Sequence, residues 1–142
     1  MVTCMNNLEK AKEILSSGKY TLVLVSDKDT QTDVLRGVHP LLNRYGNDLS
    51  SYSAADKVVG RGAALLYAGL KIKEIYCYTI SKPALEVLNA YKIPVTYNNL
   101  VDNIFNHFKN GLCPIETATM EAKTPEEALP LIIKRLKELG EK

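Results

Sequence analysis

The stretch TLVLVS, residues 21–26, constrains the fold of this chain more than any other. It is an unbroken aliphatic and β-branched run of strand length. A run of that kind reads as a strand buried on both faces, the pattern of a sheet covered by helices on either side. A second strand is expected over residues 72–80, IKEIYCYTI, where Glu74, Tyr76 and Tyr78 share one parity and Ile75, Cys77 and Thr79 the other. A short third strand is expected at Pro94-Val95-Thr96-Tyr97, with the proline at its start where no ladder donor is lost. Residues 27–32 read as a polar turn, and residues 33–36 as a short hairpin return before the break at Gly37.

Helical segments separate these strands. Leu8, Ala11, Ile14 and Leu15 carry helical spacing and Gly18 stops it, so residues 1–18 hold an N-terminal helix. Pro40-Leu41-Leu42 reads as a short helix opened by proline. The strongest helical pattern is SAADKVVGRGAALLYAGL, residues 53–70. Ser53 is its expected N-cap, Asp56 completes an acidic capping box, and Val58, Val59, Ala63, Leu66 and Leu70 form its apolar side. Gly60 and Gly62 each cost such a helix about 1 kcal/mol. Their presence points to close approach by another backbone or by a ligand. Ser81-Lys82-Pro83 opens a further helix reaching to about Tyr91. Residues 100–108 are helical by pattern, and residues 115–120 form a short helix. Thr124-Pro125-Glu126-Glu127 starts a terminal helix over residues 124–139, with acids at its positive end and a stripe of Leu129, Ile132, Ile133, Leu136 and Leu139.

Strands alternating with helices imply crossover connections, a mostly parallel sheet, and one α/β domain spanning residues 1–142. Ligand crevices in such folds lie beyond the strand C-termini, where helices begin. Two helix starts qualify, near residues 53–60 and at residues 81–83.

The charge of +2, from 18 basic and 16 acidic residues, is too balanced for a protein devoted to nucleic acid. No apolar run approaches the ~18 residues of a membrane span. The N-terminus lacks a basic region followed by an apolar stretch, and the three cysteines (Cys4, Cys77 and Cys113) are widely spaced. A cytoplasmic protein with free thiols is expected.

Few residues carry a chemical signature. His39, His107 and the cysteines form no CxxC, HxE or HExxH pattern, so no metal or other cofactor is assigned. GRGAALL lacks the third glycine and the preceding strand of a dinucleotide fingerprint. Lys57 and Arg61, four residues apart on one expected helix face, would either present two cations to an anionic ligand or form a solvated basic edge. Pro114 is a natural first helical residue, which puts Cys113 at an N-cap. That position lowers a thiol pKa and would make Cys113 reactive, or would make it only a cap. Glu116 would close a capping box onto Cys113 or serve as a general base. Cys77 reads as a small buried hydrophobe, and Tyr76 and Tyr78 as core residues or the lining of a wet pocket.

The stretch ADKVVGRGAALLYAGL, then SKPALEVLNAYKIPVTY, then GLCPIE together resemble the domain-of-unknown-function family 1893, over residues 20–139. The resemblance implies a three-layer α/β/α sandwich with a mixed central sheet of about five strands, similar to cytidine deaminases. Deaminases carry His/Cys-x-Glu at one helix start and Pro-Cys-x-x-Cys at the next, holding a zinc-activated water. This chain has Gly60-Arg61-Gly62-Ala63 and Ser81-Lys82-Pro83-Ala84-Leu85 in the matching regions, without a ligand at either. The resemblance also groups Asp56, Lys57, Cys113 and Glu116 as members of one site.

The leading expectation is a deaminase-like protein without zinc chemistry. It would bind a small anionic or nucleotide-like ligand through Asp56, Lys57, Gly60, Arg61, Gly62, Ser81 and Lys82, with Cys113 and Glu116 closing the cleft. The alternatives are an enzyme using Cys113 as nucleophile, and a non-catalytic homo-oligomeric module using the terminal helix as its contact surface. No nucleic-acid or membrane partner is expected.

Overall fold

A computed structural model describes residues 6–35, 38–104 and 114–140. Strand β1 (Leu22–Val25) is buried at all four positions. Leu22 and Leu24 enter one apolar cluster, and Val23 and Val25 enter another on the opposite face. The side chain of Ser26 accepts the N–H groups of Lys28 and Asp29, and this turn returns the chain as β2 (Thr30–Asp33). The return therefore begins inside the segment expected to be turn. Strand β2 pairs antiparallel with β1, and β1 pairs antiparallel with β3 (Ser53–Val59). Strands β4 (Glu74–Ser81) and β5 (Val95–Val101) continue in parallel, giving a mixed five-stranded sheet of order β2-β1-β3-β4-β5.

The expected helix over residues 53–70 is thus two elements. Ser53–Val59 is the central strand, and helix α3 (Arg61–Leu70) begins only after Gly60, whose extended backbone is its N-cap. Apolar spacing alone fitted either period. The decision comes from both backbone edges of β3 being taken, by β1 on one side and β4 on the other. Ser53 caps nothing; its hydroxyl donates to Glu74 at 2.6 Å. Strand β5 likewise runs past Tyr97 to Val101, where Val101 pairs with Ser81, so Leu100 is strand rather than helix start. Asp102 to Ile104 are not helical either, while residues 105–108, including His107, lie outside the described residues, as do Cys4, Gly37 and Cys113.

Helix α1 (Asn7–Ser16) starts where Asn6 accepts the Glu9 N–H at 2.8 Å, and Gly18 follows with φ +83°. Its Ala11 and Leu15 cover Val23, Val25, Ala55 and Tyr76. The other face packs against α2 (His39–Arg44), α3, α4 (Lys82–Ala90) and α6 (Pro125–Glu138). Helix α3 carries most of that contact, with Gly62 through Tyr67 and Leu70 all buried. Ser81 caps α4 by accepting the Ala84 N–H, and Thr124 caps α6 by accepting the Glu127 N–H. The buried stripe of α6 is Pro125, Ala128, Ile132 and Leu136, while Ile133 and Leu139 of the expected stripe are exposed. Helix α5 (Pro114–Ala118) is a short element laid against α3 and α6. No described helix is long and apolar enough to cross a membrane.

Candidate functional site

Parallel strands β3 and β4 each run directly into a helix, so the starts of α3 and α4 lie side by side at one end of the sheet. Glu116, from α5, reaches between them and is 1 % exposed. Its Oε1 accepts the Ser81 hydroxyl at 2.7 Å and the Arg61 N–H at 3.3 Å, and its Oε2 accepts the Ile104 N–H at 3.0 Å. One carboxylate therefore caps the first turn of α3, touches the cap residue of α4, and fixes the chain that follows β5. Negative charge at a helix N-terminus is favourable, and three donors compensate for removing the carboxylate from water. The capping box expected between Glu116 and Cys113 falls on a residue outside those described; the described donors to Glu116, from Arg61, Ser81 and Ile104, all come from outside its own helix.

The two glycines make room for this arrangement. A Cβ on Gly62 would stand 2.5 Å from Ile115 Cγ2, and one on Gly60 would stand 3.0 Å from Glu116 Oε2. The approach expected from their smallness is real, and it comes from side chains of α5. Arg61 completes the lock, its guanidinium donating to the carbonyls of Thr119 and Ala122 at 2.9 and 2.5 Å. It does not share a helix face with Lys57, because Lys57 is in β3. Lys82 points elsewhere, paired with Asp102 at 2.9 Å on the exposed surface, and that hydrogen bond raises its pKa.

In front of the α3 start lies a cavity of about 330 Å³. Asp56, Lys57, Gly60, Gly62 and Glu116 line it, together with the apolar side chains of Leu22, Leu41, Ile104 and Ile115. Five of the expected site residues thus meet at one place. Arg61, Ser81 and Lys82 do not line it, and Cys113 lies outside the described residues. The cavity stands at the C-terminal end of β3, where antiparallel β1 meets the parallel half of the sheet, a position that suits ligand crevices in open α/β sheets.

Asp56 is its notable polar group. Its Oδ2 accepts the Tyr67 hydroxyl at 2.7 Å and its Oδ1 the Lys57 N–H at 2.8 Å. Burial nevertheless pushes its carboxyl up to about 6, the hydrogen bonds opposing only part of the shift. Tyr67 is buried in α3 and its own pKa rises well above the usual tyrosine value, through burial and then the Asp56 charge. Sequence reasoning missed Tyr67, Ile104 and Ile115. Tyr67 falls inside an apolar helix pattern, and only its contact with Asp56 distinguishes it. Cys77 is buried across from Asp56 on β4, and burial pushes its thiol up to about 12. No group of three or more His, Cys, Asp or Glu among the described residues could hold a metal ion.

These features define a small α/β domain on a mixed five-stranded sheet, with a polar-ended cavity at the C-terminal end of its central strand. The chain belongs to the DUF1893 family: the family described as "TM1506: Domain of unknown function (DUF1893)" matches residues 10–136. Among solved structures it is similar to a DUF1893 family protein (TM1506) from Thermotoga maritima. The two share 24 % identity and a TM-score of 0.84, over 94 % of this chain and 92 % of that one. At that identity the likeness concerns the fold alone. No curated protein matches the chain.

Proposed function

We propose that this chain is a three-layer, deaminase-like α/β/α domain without zinc chemistry, and that it binds a small nucleoside- or nucleotide-like ligand in the cavity beside Asp56. The layering is supported by α1 on one sheet face and the remaining long helices on the other. The absence of zinc chemistry is supported by the donor set. The starts of α3 and α4 are the two places where a deaminase carries its metal ligands, and here they offer Gly60-Arg61-Gly62 and Ser81-Lys82-Pro83. Between them sits the Glu116 carboxylate, with both oxygens taken by N–H and O–H donors. These residues do not fit a zinc ion.

The observation that carries the ligand reading is the cavity. Its 330 Å³ is near the lower end of the roughly 300–1,000 Å³ of ligand pockets, the size of a base or nucleoside. Apolar side chains would hold a flat ring, and the Asp56 carboxylate would accept ring or amino N–H groups. A purely anionic ligand has less support, since Glu116 already occupies the α3 start and Arg61 is engaged with two carbonyls.

A thermal-shift panel of nucleobases, nucleosides and nucleotides on the full chain tests this reading. A ligand at about 100 times its Kd adds about 2.7 kcal/mol of stability, which raises Tm by several degrees. Asp56→Asn should abolish or reduce the shift. A panel without a single saturable shift refutes the reading.

A further inference from the structure

Helix α1 is 10 residues long, about 15 Å at 1.5 Å per residue, and leaves part of the sheet face beyond Ser16 uncovered. There a groove of about 440 Å³ opens, lined by Lys12, Leu15, Lys57, Val58, Tyr76 and Tyr78, with no acidic residue among its described lining. Its floor and walls are unusual for a solvated surface. Tyr78 is 55 % exposed and Val58 47 % exposed, both lining the groove from neighbouring strands, where Val58 is in register with Thr79, the residue after Tyr78. Lys12 holds its ammonium 4.6 Å from the centre of the Tyr76 ring, a cation–π contact that keeps the charge over the groove. Neither Lys12 nor Lys57 forms an ion pair among the described residues.

We propose that this groove is a second binding site, for a small planar ring bearing a phosphate, of mononucleotide size. The ring would stack on Tyr78 and against Val58, and the phosphate would be shared by Lys12 and Lys57. Exposed aromatics bind bases through their π-faces, and unpaired ammonium groups complement phosphate. Charge decides against the other occupants. A second copy seated by two-fold symmetry would bring the same patch against itself, four lysines with no acid to pair them. A nucleic-acid strand needs a longer basic track than two lysines on a chain of charge +2. The groove lies on the α1 face of the sheet, whereas the Asp56 cavity opens toward the opposite cluster; only Lys57 and Val58 line both.

The test is NMR titration of the full chain with adenosine 5′-monophosphate, adenosine, inorganic phosphate and a single-stranded oligonucleotide. The monophosphate is expected to shift the amides of Lys12, Leu15 and Tyr78 saturably, with adenosine and phosphate each about 10-fold weaker. Lys12→Ala and Tyr78→Ala change exposed side chains that do not line the cavity, and each should weaken the monophosphate about 10-fold while circular dichroism stays unchanged. Failure of the cavity reading alone would appear differently, as loss of shifts at Leu22 and Ala63 with these groove shifts intact. The proposal is overturned if the monophosphate perturbs only cavity residues, or if Lys12→Ala binds it undiminished. Groove signals that follow protein concentration without ligand, or that respond only to the oligonucleotide, overturn it as well.

Discussion

The Glu116 carboxylate accepts the Ser81 hydroxyl at 2.7 Å although 35 positions separate them in the chain. Through that bond and its contacts to Arg61 and Ile104, one buried side chain joins the starts of two helices to the segment that follows β5. Replacing Glu116 by Gln would turn an amide NH₂ toward donors and leave at least one unsatisfied. A buried donor or acceptor left unpaired costs about 1–3 kcal/mol, and more where charge was involved. Urea denaturation should therefore show Glu116→Gln less stable by about 2–3 kcal/mol. An unchanged midpoint would remove the carboxylate from its role as anchor.

Gly62 makes a second test of the same junction. On helix propensity alone, Gly→Ala in α3 should stabilise by up to about 1 kcal/mol. The added Cβ would stand 2.5 Å from Ile115 Cγ2, so α5 must move away. Overpacking of this kind costs about 1–3 kcal/mol, and Gly62→Ala is expected to lower Tm despite the better propensity.

Asp56 predicts a pH dependence of definite sign. Its folded pKa of about 6 lies above the ordinary carboxylate value, so the folded state holds the proton more tightly. The stability it contributes is fully present below about pH 4 and is lost as pH rises through 6. Raising the carboxyl from its ordinary value to about 6 corresponds to about 3 kcal/mol as an order of magnitude. Asp56→Asn cannot ionise. Denaturation at a series of pH values should show the variant gaining on the wild type between pH 4 and 7, and level thereafter. A constant difference would mean that Asp56 does not titrate in that window.

Asp33 behaves oppositely. Burial alone would raise its carboxyl, but hydrogen bonds from Arg44 and from the Leu35 N–H, with the Arg44 charge, hold it below the ordinary value. The pair is mostly shielded, with Arg44 Nη1 at 2.7 Å from Asp33 Oδ2, and Arg44 also donates to Gln31 and the Pro40 carbonyl. Stability from this pair is present above about pH 4 and fades as pH falls through the lowered pKa. Arg44→Ala should cost about 2–4 kcal/mol at pH 7, because a partly buried carboxylate loses its partner. Arg44→Lys should not restore it, since one ammonium cannot span three acceptors in a planar fork. A full rescue by lysine in a denaturation assay would contradict that geometry.

Cys77 should be inert in the folded protein. Its thiol is fully buried and pushed up to about 12, while thiolate is the reactive form. Iodoacetamide at pH 8 should label Cys77 only after denaturant is added, as read by peptide mass spectrometry. Rapid labelling of the native chain at this site would show that β4 opens.

Much of the architecture is legible in short stretches of the chain. TLVLVS announces a strand buried on both faces because Leu22 to Val25 are apolar at every position, leaving neither face a polar side chain. Ser81-Lys82-Pro83 and Thr124-Pro125 announce helix starts because a hydroxyl cap and a proline act within one turn, and both caps are made as the local chemistry dictates. The segment of residues 53–59 is different. Val58 and Val59 satisfy a helical spacing as well as a strand, and nothing local separates the two. Hydrogen bonds from β1 and β4 on either side do.

The site divides the same way. Asp56, Lys57, Gly60, Gly62 and Glu116 could be chosen from the sequence as residues of one site, yet their partners could not. The sequence by itself determined which residues are small, ionisable or capping, because those are properties of single side chains and their nearest neighbours. Tertiary structure decided that Glu116 serves helices far from its own, that Arg61 is held by the carbonyls of Thr119 and Ala122, and that Asp56 rests against Tyr67. Those outcomes depend on which donors folding brings within about 3 Å of an acceptor, and that distance is set by the packing of α5 and of β3 against α3, not by spacing along the chain.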